Sequence, residues 1–315
     1  MPATYSPATP IRWIDAPQDL SYASQPMARR ILSVLALLAA FAVQASAQVS
    51  VDLRFQKTSF LAGEPIPVTV SLTNLSGADL TFAGSVRKPW IDFIVNSTRG
   101  VPLSPLGKPA FGAVKIPAGK TVAKSVDLTE LYAFSEIGNF SVYSIVRLPN
   151  QTTGGYQSKR HLFTITTAKP YWSQVVGVPG KTGRSNEFRL VQFTAGRKNQ
   201  LYAQVADAKT GRILRTHHLG EVLMLKKPTV AVDSSLNMHI LYLITPTFWG
   251  HARISPDGSF IGRDLYKPGA TDPGLARLED GTIKAVGGVP YDPKAEAEAR
   301  EKNRKASDRP DFIYE

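Results

Sequence analysis

The chain contains no cysteine among its 315 residues. A disulfide scaffold, a thiolate nucleophile and a cysteine-ligated zinc site are therefore all excluded. Packing alone must hold the fold together. The length predicts two domains of ordinary size, each large enough to bury a hydrophobic core without covalent staples.

Acidic residues are scarce relative to basic ones, 25 against 37, which gives a formal net charge of +12. Such a balance favours anionic partners. The basic residues are spread along the chain, which argues against a specific nucleic-acid surface. We expect the partner to be a protein, an anionic envelope polymer or a glycan, and the sequence leaves association into an oligomer open.

Long apolar runs are absent except for one, which extends from Ile31 to Val43. It follows the basic pair Arg29-Arg30 and precedes Ala45-Ser46-Ala47, the order of a secretory signal peptide. A helix of this length rises about 20 Å, less than the roughly 30 Å of a hydrocarbon core. We therefore expect residues 27–47 to be a signal peptide.

The signal peptide predicts a periplasmic or extracellular protein, cleaved near Ala47-Gln48, with no transmembrane segment in the mature chain. Export signals normally stand at the start of a protein, so Met27 is the expected true start. Residues 1–26 are then a non-native upstream extension.

The signatures of common enzymes are also missing. The sequence has no Gly-x-Ser-x-Gly elbow, and its carboxylates are scattered through turns instead of being paired on neighbouring strands. Gly180-Lys181-Thr182 lacks the glycine that a P-loop places five residues earlier, where Val175 stands. These absences predict a protein that is not an enzyme and uses no cofactor.

What is present is a β pattern. Apolar and polar residues alternate from Val49 to Phe55 with the period of a half-buried strand. Further runs of strand type occupy residues 66–72, 80–83, 90–95, 121–128, 140–148 and 161–167. About seven short strands separated by Gly and Pro turns predict an immunoglobulin-like β-sandwich over residues 48–168.

Several segments of this region resemble known bacterial immunoglobulin-like modules. They are Leu61-Ala62-Gly63-Glu64-Pro65-Ile66-Pro67-Val68, Leu72-Thr73-Asn74-Leu75-Ser76-Gly77, Ile91-Asp92-Phe93-Ile94-Val95, Pro117-Ala118-Gly119-Lys120 and Ile137-Gly138-Asn139-Phe140-Ser141-Val142-Tyr143. The pattern is similar to the bacterial intracellular proteinase inhibitor family and to macroglobulin-type domains, over residues 49–167. The resemblance implies a sandwich fold and at most a loop that blocks a protease, since no position matches a reactive-loop signature.

The second half, residues 169–290, is predicted to be a second antiparallel β domain built from hairpins. Its connections include Asp207-Ala208-Lys209-Thr210-Gly211-Arg212, Ser255-Pro256-Asp257-Gly258 and Glu279-Asp280-Gly281, which are typical hairpin turns. Residues 232–242 and 252–261 look similar to strands of β-propeller blades. A closed propeller typically needs at least four blades, so an open or two-layered sheet is expected.

The last segment, residues 291–315, changes to a charged pattern. Asp292 suits a helix cap and Pro293 the first helical position, while Glu296 and Arg300 form a favourable pair four residues apart. A short solvated helix followed by a tail is predicted.

Candidate site residues are few. Four histidines, His217, His218, His239 and His251, fall in the second half. Adjacent strand residues point to opposite faces, so His217 and His218 should not serve one site, and none of the spacings matches a zinc signature. No metal site is therefore predicted.

A ligand-binding face is predicted at Phe248, Trp249, His251 and Arg253, beside a loop tip indicated by Pro246-Thr247. Aromatic side chains of this kind, Tyr202 among them, stack on sugar rings or on a peptide.

The sequence as a whole predicts an exported, non-enzymatic binding, adhesion or envelope scaffold protein of unknown ligand. Two alternatives stay open: a protease inhibitor acting through the immunoglobulin-like domain, and a carbohydrate-active enzyme with an unrecognised site.

Overall fold

The structure is a computed structural model that describes residues 48–148, 154–195 and 198–307. The predicted extension, the predicted signal peptide and the C-terminal tail lie outside these residues. The described chain is mostly β, with small sheets in a propeller-like arrangement and a short C-terminal helix. No helix within the described ranges is both long and apolar enough to cross a membrane.

Ten strands and one helical turn form the N-terminal region. They are β1 (Val49–Phe55), β2 (Ser59–Leu61), β3 (Pro67–Asn74), β4 (Leu80–Phe82), β5 (Ile91–Ser97), β6 (Val114–Ile116), β7 (Thr121–Asp127), α1 (Leu128–Leu131), β8 (Gly138–Val146), β9 (Tyr156–Gln157) and β10 (His161–Thr166). One sheet has the order β1-β3-β7 and a second the order β2-β10-β8-β5, with β9 paired to β8; β4 and β6 form a separate ribbon.

Eleven strands and the terminal helix form the C-terminal region. They are β11 (Pro170–Gly177), β12 (Ser185–Ala195), β13 (Lys198–Asp207), β14 (Ile213–Glu221), β15 (Thr229–Val232), β16 (Met238–Thr245), β17 (Phe248–Ile254), β18 (Phe260–Pro268), β19 (Gly274–Arg277), β20 (Ile283–Val286), β21 (Gly288–Tyr291) and α2 (Pro293–Ser307). The sheet orders are β11-β12-β13-β14 and β15-β16-β17-β18-β21, with β19-β20 as a hairpin.

Alternation explains why these residues form strands. In β3 every second side chain is buried, and β1 pairs with it in antiparallel register from Val49 opposite Asn74 to Phe55 opposite Val68. The buried faces of both N-terminal sheets contribute to one hydrophobic core, in which Val70 of one sheet and Phe93 of the other take part. A second core lies between the two large C-terminal sheets and includes Phe188 and Tyr242.

The all-β prediction and the C-terminal helix are confirmed, and so is the blade-like pattern at the level of small antiparallel sheets. The immunoglobulin-like assignment is not, because the sheets form a ring and not a clear sandwich. The sequence also missed β11, an edge strand whose side chains are mostly exposed and so lack a clean alternation. The Gly180-Lys181-Thr182 segment lies in the turn after β11, as a loop reading predicts.

Candidate functional site

The four residues assigned to a binding face do not form an open surface. Trp249 and His251 are only 5% and 3% exposed. The Phe248 ring packs on Tyr291 with 4.6 Å between centroids, and Arg253 forms an ion pair with Asp264. The loop tip at residues 246–247 is confirmed as the turn between β16 and β17. Ligand binding by these four residues stays a prediction, and it requires local opening.

A cleft of about 650 Å³ lies elsewhere, between the N-terminal region and the sheet that ends in β14. Such a volume is typical of a small-ligand site. Its walls combine aromatic rings with amides, imidazoles and one ion pair. The lining residues are Gln56, Lys57, Phe60, Glu64, Pro65, Pro67, Gln200, Tyr202, Thr216, His217, His218 and Phe260.

The ion pair of Lys57 and Glu64 forms the polar centre of the cleft. Glu64 is 5% exposed, and its Oε1 accepts a hydrogen bond from Lys57 Nζ at 2.5 Å. The backbone N–H of Leu61 donates to its Oε2 at 2.9 Å. A buried carboxylate requires such partners, because desolvation alone would make its charge very costly. The turn after β2 thus fixes the carboxylate and, through it, the lysine.

Two histidines on β14 line the same cleft. They face different sides of the sheet: His218 is opposite Tyr202 and His217 is opposite Ala203. Because β14 is the last strand of its sheet, the cleft beside it is lined by both side chains. That the two histidines do not serve one site stays a prediction.

Hydrogen bonds define which imidazole nitrogens are available in the cleft. The Gly258 carbonyl can only accept, so the Nε2–H of His217 donates to it over 2.8 Å, and Nδ1 of the neutral ring is then an acceptor. His218 Nε2 lies 2.7 Å from Gln200 Oε1, and its ring packs on Tyr202. Burial, followed by the charge of Lys57, lowers the pKa of His218.

Backbone contacts between the two regions hold the cleft in place. Thr216 N donates to Gly63 O at 3.0 Å, and Thr216 Oγ1 donates to Ala62 O at 2.6 Å. Beside them, Leu61 packs on Tyr202 in a small apolar cluster. The turn that fixes Glu64 is therefore also the turn that docks on β14.

Sequence reasoning identified only part of this cleft. It named Tyr202 as a stacking candidate and His217 and His218 as polar candidates, but it missed Lys57 and Glu64. Nearly 140 residues separate Glu64 from Tyr202 in sequence, and no local pattern indicates that both line one cleft. A single signal was available, the Gly63-Glu64-Pro65 turn, which places an acidic residue where a buried strand begins.

A second polar cluster is enclosed within the C-terminal region. His239 Nε2 lies 3.1 Å from Asp233 Oδ2, and His239 Nδ1 lies 3.0 Å from His251 Nε2. Burial raises the pKa of Asp233, but hydrogen bonds from Asn237 and His239 outweigh it and lower that pKa overall. Asp233 thus accepts from the Asn237 backbone N–H within its own turn and also holds His239.

The carboxylate at one end of this cluster can only accept, so His239 donates to it from Nε2–H. His239 Nδ1 and His251 Nε2 share the next hydrogen bond. His251 Nδ1 is buried without a hydrogen-bond partner. Across the described ranges, no three His, Asp or Glu side chains are grouped as a metal site requires.

No protein-family model matches the chain, and no curated protein matches it. The resemblance to the proteinase inhibitor family and to macroglobulin-type domains therefore has no support from a family model. Among solved structures, the chain is similar to the crystal structure of Spo0M, a sporulation control protein from Bacillus subtilis, at 10% identity and a TM-score of 0.27. The match covers 83% of this chain and 97% of that one, and at this TM-score it carries no inference about fold or function.

Proposed function

We propose that this is an exported, non-enzymatic binding protein that holds a saccharide segment in the cleft beside β14. The observation that carries the proposal is the composition of the cleft wall, where exposed aromatic surface adjoins side-chain amides and imidazole acceptors. Phe260 is 44% exposed at its rim. A saccharide presents C–H faces that pack on aromatic rings and hydroxyls that need both donors and acceptors.

The non-enzymatic part of the proposal is supported by the carboxylate inventory of the cleft. Glycoside hydrolysis ordinarily uses two carboxyl groups, one on each side of the scissile bond. Among the described residues that line the cleft, Glu64 is the single carboxylate, and both of its oxygens already accept hydrogen bonds.

Export and the finer fold belong to the same proposal. Export is supported by the hydrophobic segment 31–43, its basic flank and the small residues at 45–47. A cleavage after Ala47 leaves β1 whole, since it begins at Val49. N-terminal sequencing of the exported protein tests this part. The immunoglobulin-like sandwich is supported by two sheets that share one core and are antiparallel except for the β2–β10 pair.

Binding to an oligosaccharide array, followed by titration of each hit, tests the proposal. We expect Phe260→Ala to weaken binding about fivefold, since one aromatic contact is worth roughly 1 kcal/mol. Tyr171→Ala is the matched control, because Tyr171 is 45% exposed on β11 and does not line the cleft.

Two results would contradict the proposal. One is the absence of binding to every array member at millimolar concentration, and the other is equal loss of affinity in both variants. Release of shorter products from a bound saccharide would instead favour the carbohydrate-active enzyme.

A further inference from the structure

The Lys57 ammonium occupies a position that has the chemistry of a cation-binding site. It lies 5.0 Å from the centroid of the Phe60 ring and 5.3 Å from that of Tyr202. The Glu64 carboxylate is 2.5 Å away, and Tyr202 Oη is 3.3 Å away. Aromatic faces with a carboxylate are what recognises ammonium groups in general. Here the chain fills this position with its own side chain.

Occupancy by Lys57 determines what the cleft offers to a ligand. Glu64 has no free oxygen, because Lys57 binds one and the Leu61 N–H binds the other. An ammonium has three N–H donors, and Lys57 is about one third exposed, so it faces the cleft as well as its partner. The cleft therefore presents a donor with positive charge and no available carboxylate.

The other charged and titratable groups around the cleft do not reverse this balance. His217 and His218 line it, and Arg263 is close enough to His218 to act on it electrostatically. The Arg263 guanidinium donates to Leu219 O at 3.0 Å. Among the described residues that line the cleft, Glu64 is the single acidic group, and the ammonium of Lys57 balances its charge. This balance disfavours a cationic ligand and favours an anionic one.

We propose that the cleft selects acidic saccharides, with Lys57 donating to a ligand carboxylate while its own occupation of the Phe60–Tyr202–Glu64 position excludes amino-bearing ligands. This inference rests on the proposed function, because it names the class of saccharide that the same cleft binds. A charge-assisted hydrogen bond in a partly buried cleft is worth about a tenfold difference in affinity or more.

The test compares trigalacturonic acid with its methyl ester, which has the same rings without the charges. We expect the wild-type protein to bind the acid at least about tenfold more tightly than the ester. Lys57→Met keeps the length of the side chain and should abolish this preference. Lys115→Met is the matched control, since Lys115 pairs with Asp79 on an exposed surface and does not line the cleft.

Lys57→Met leaves Glu64 buried without its ion-pair partner and so risks unfolding. The double variant Lys57→Met/Glu64→Gln removes both charges, and it should fold and bind acid and ester equally. Equal affinities for acid and ester in the wild type would overturn the inference, and so would a preference that survives in the double variant.

The failure of this inference differs from failure of the proposed function. If uncharged saccharides of the array bind and the acidic ones bind no better, acid selection is wrong while saccharide binding stands. If no saccharide binds, both fail.

A second readout detects the cation position directly. Lys57→Ala retains Glu64 and both aromatic rings and vacates the space between them. We expect n-butylammonium chloride to raise the melting temperature of this variant more than sodium chloride does, and to have no such effect on the wild type. Equal responses to both salts in the variant would mean that this position does not recognise ammonium groups, which contradicts the exclusion of amino-bearing ligands.

Discussion

At the scale of single residues, burial separates the two imidazoles of the enclosed cluster from the solvent. Burial, followed by the nearby charges of His239 and Arg253, lowers the pKa of His251 to about 4 from an ordinary 6.5. Its Nδ1 is buried without a hydrogen-bond partner. Protonation in the folded state would therefore bury a positive charge and an N–H group without an acceptor.

This cluster predicts loss of stability in acid. Below pH 6.5 the unfolded chain binds the proton first, because its pKa is the higher one, so stability is complete above pH 6.5 and falls as the pH approaches 4. The expected contribution is about 3 kcal/mol, at roughly 1.4 kcal/mol for each pH unit. Urea denaturation between pH 7 and pH 4 measures it. In His251→Gln the loss should be smaller, and an unchanged loss in this variant would contradict the prediction.

The turn residues of these hairpins can be predicted from the sequence, and the buried histidine cluster cannot. That Asp257 and Asp280 are turn residues was predictable, and each accepts hydrogen bonds within its own hairpin turn. That Asp233 also holds His239, and that His239 meets His251, depends on the pairing of β16 with β17 opposite each other. The turn chemistry is local, and the cluster is a product of strand register.

At the scale of elements, the short helix α1 is tied to the sheet by one carboxylate. Asp127 Oδ1 accepts from Thr129 N at 2.9 Å, as a helix N-cap does, and also from Ile66 N at 2.8 Å. The second bond crosses from the end of β7 to the segment just before β3. One side chain thus caps the helix and closes a connection between two distant parts of the chain.

Asp127→Ala should lower the free energy of unfolding by about 1–2 kcal/mol, the usual range for loss of a cap. Chemical denaturation measures the change. Asp52→Ala serves as its control, because Asp52 only pairs with Arg54 on the exposed face of β1 and should cost little. Asp127→Asn keeps the acceptor and should recover most of the lost stability. Equal stability of the Ala and Asn variants would show that capping is not the cause.

Elements with strong alternation were predictable, and those without it were not. The bounds of β1 match the alternation from Val49 to Phe55, because the apolar residues of this strand lie on one side. The strands β2 and β6 are three residues long, too short to display a period. They form because neighbouring strands offer backbone partners, which a sequence pattern does not reveal.

At the scale of the whole molecule, Gly63 lies in the turn through which the two regions are in contact. Its φ is +76°, in the left-handed region, and a Cβ at this position would lie 2.6 Å from Ile213 Cγ2. Only glycine satisfies both conditions without displacing β14.

Gly63→Ala should therefore destabilise the protein by about 1–3 kcal/mol and weaken saccharide binding, because β14 carries part of the cleft wall. Gly107→Ala is an informative control: Gly107 has a φ of +75°, but a Cβ there would meet nothing within 4 Å. This control separates the cost of the positive φ from the cost of the steric clash between the added Cβ and Ile213. If both variants lose the same stability and neither loses affinity, close packing at Gly63 has no part in shaping the cleft.

The docking of the 61–64 turn on β14 has a consequence for kinetics. Because backbone and side-chain hydrogen bonds from Thr216 already hold this turn, we expect the cleft to have the same shape with and without the proposed ligand. Association should then proceed in one step whose observed rate constant rises linearly with ligand concentration, without the plateau that a slow closing motion imposes. Differences in affinity between ligands would then lie chiefly in their dissociation rates.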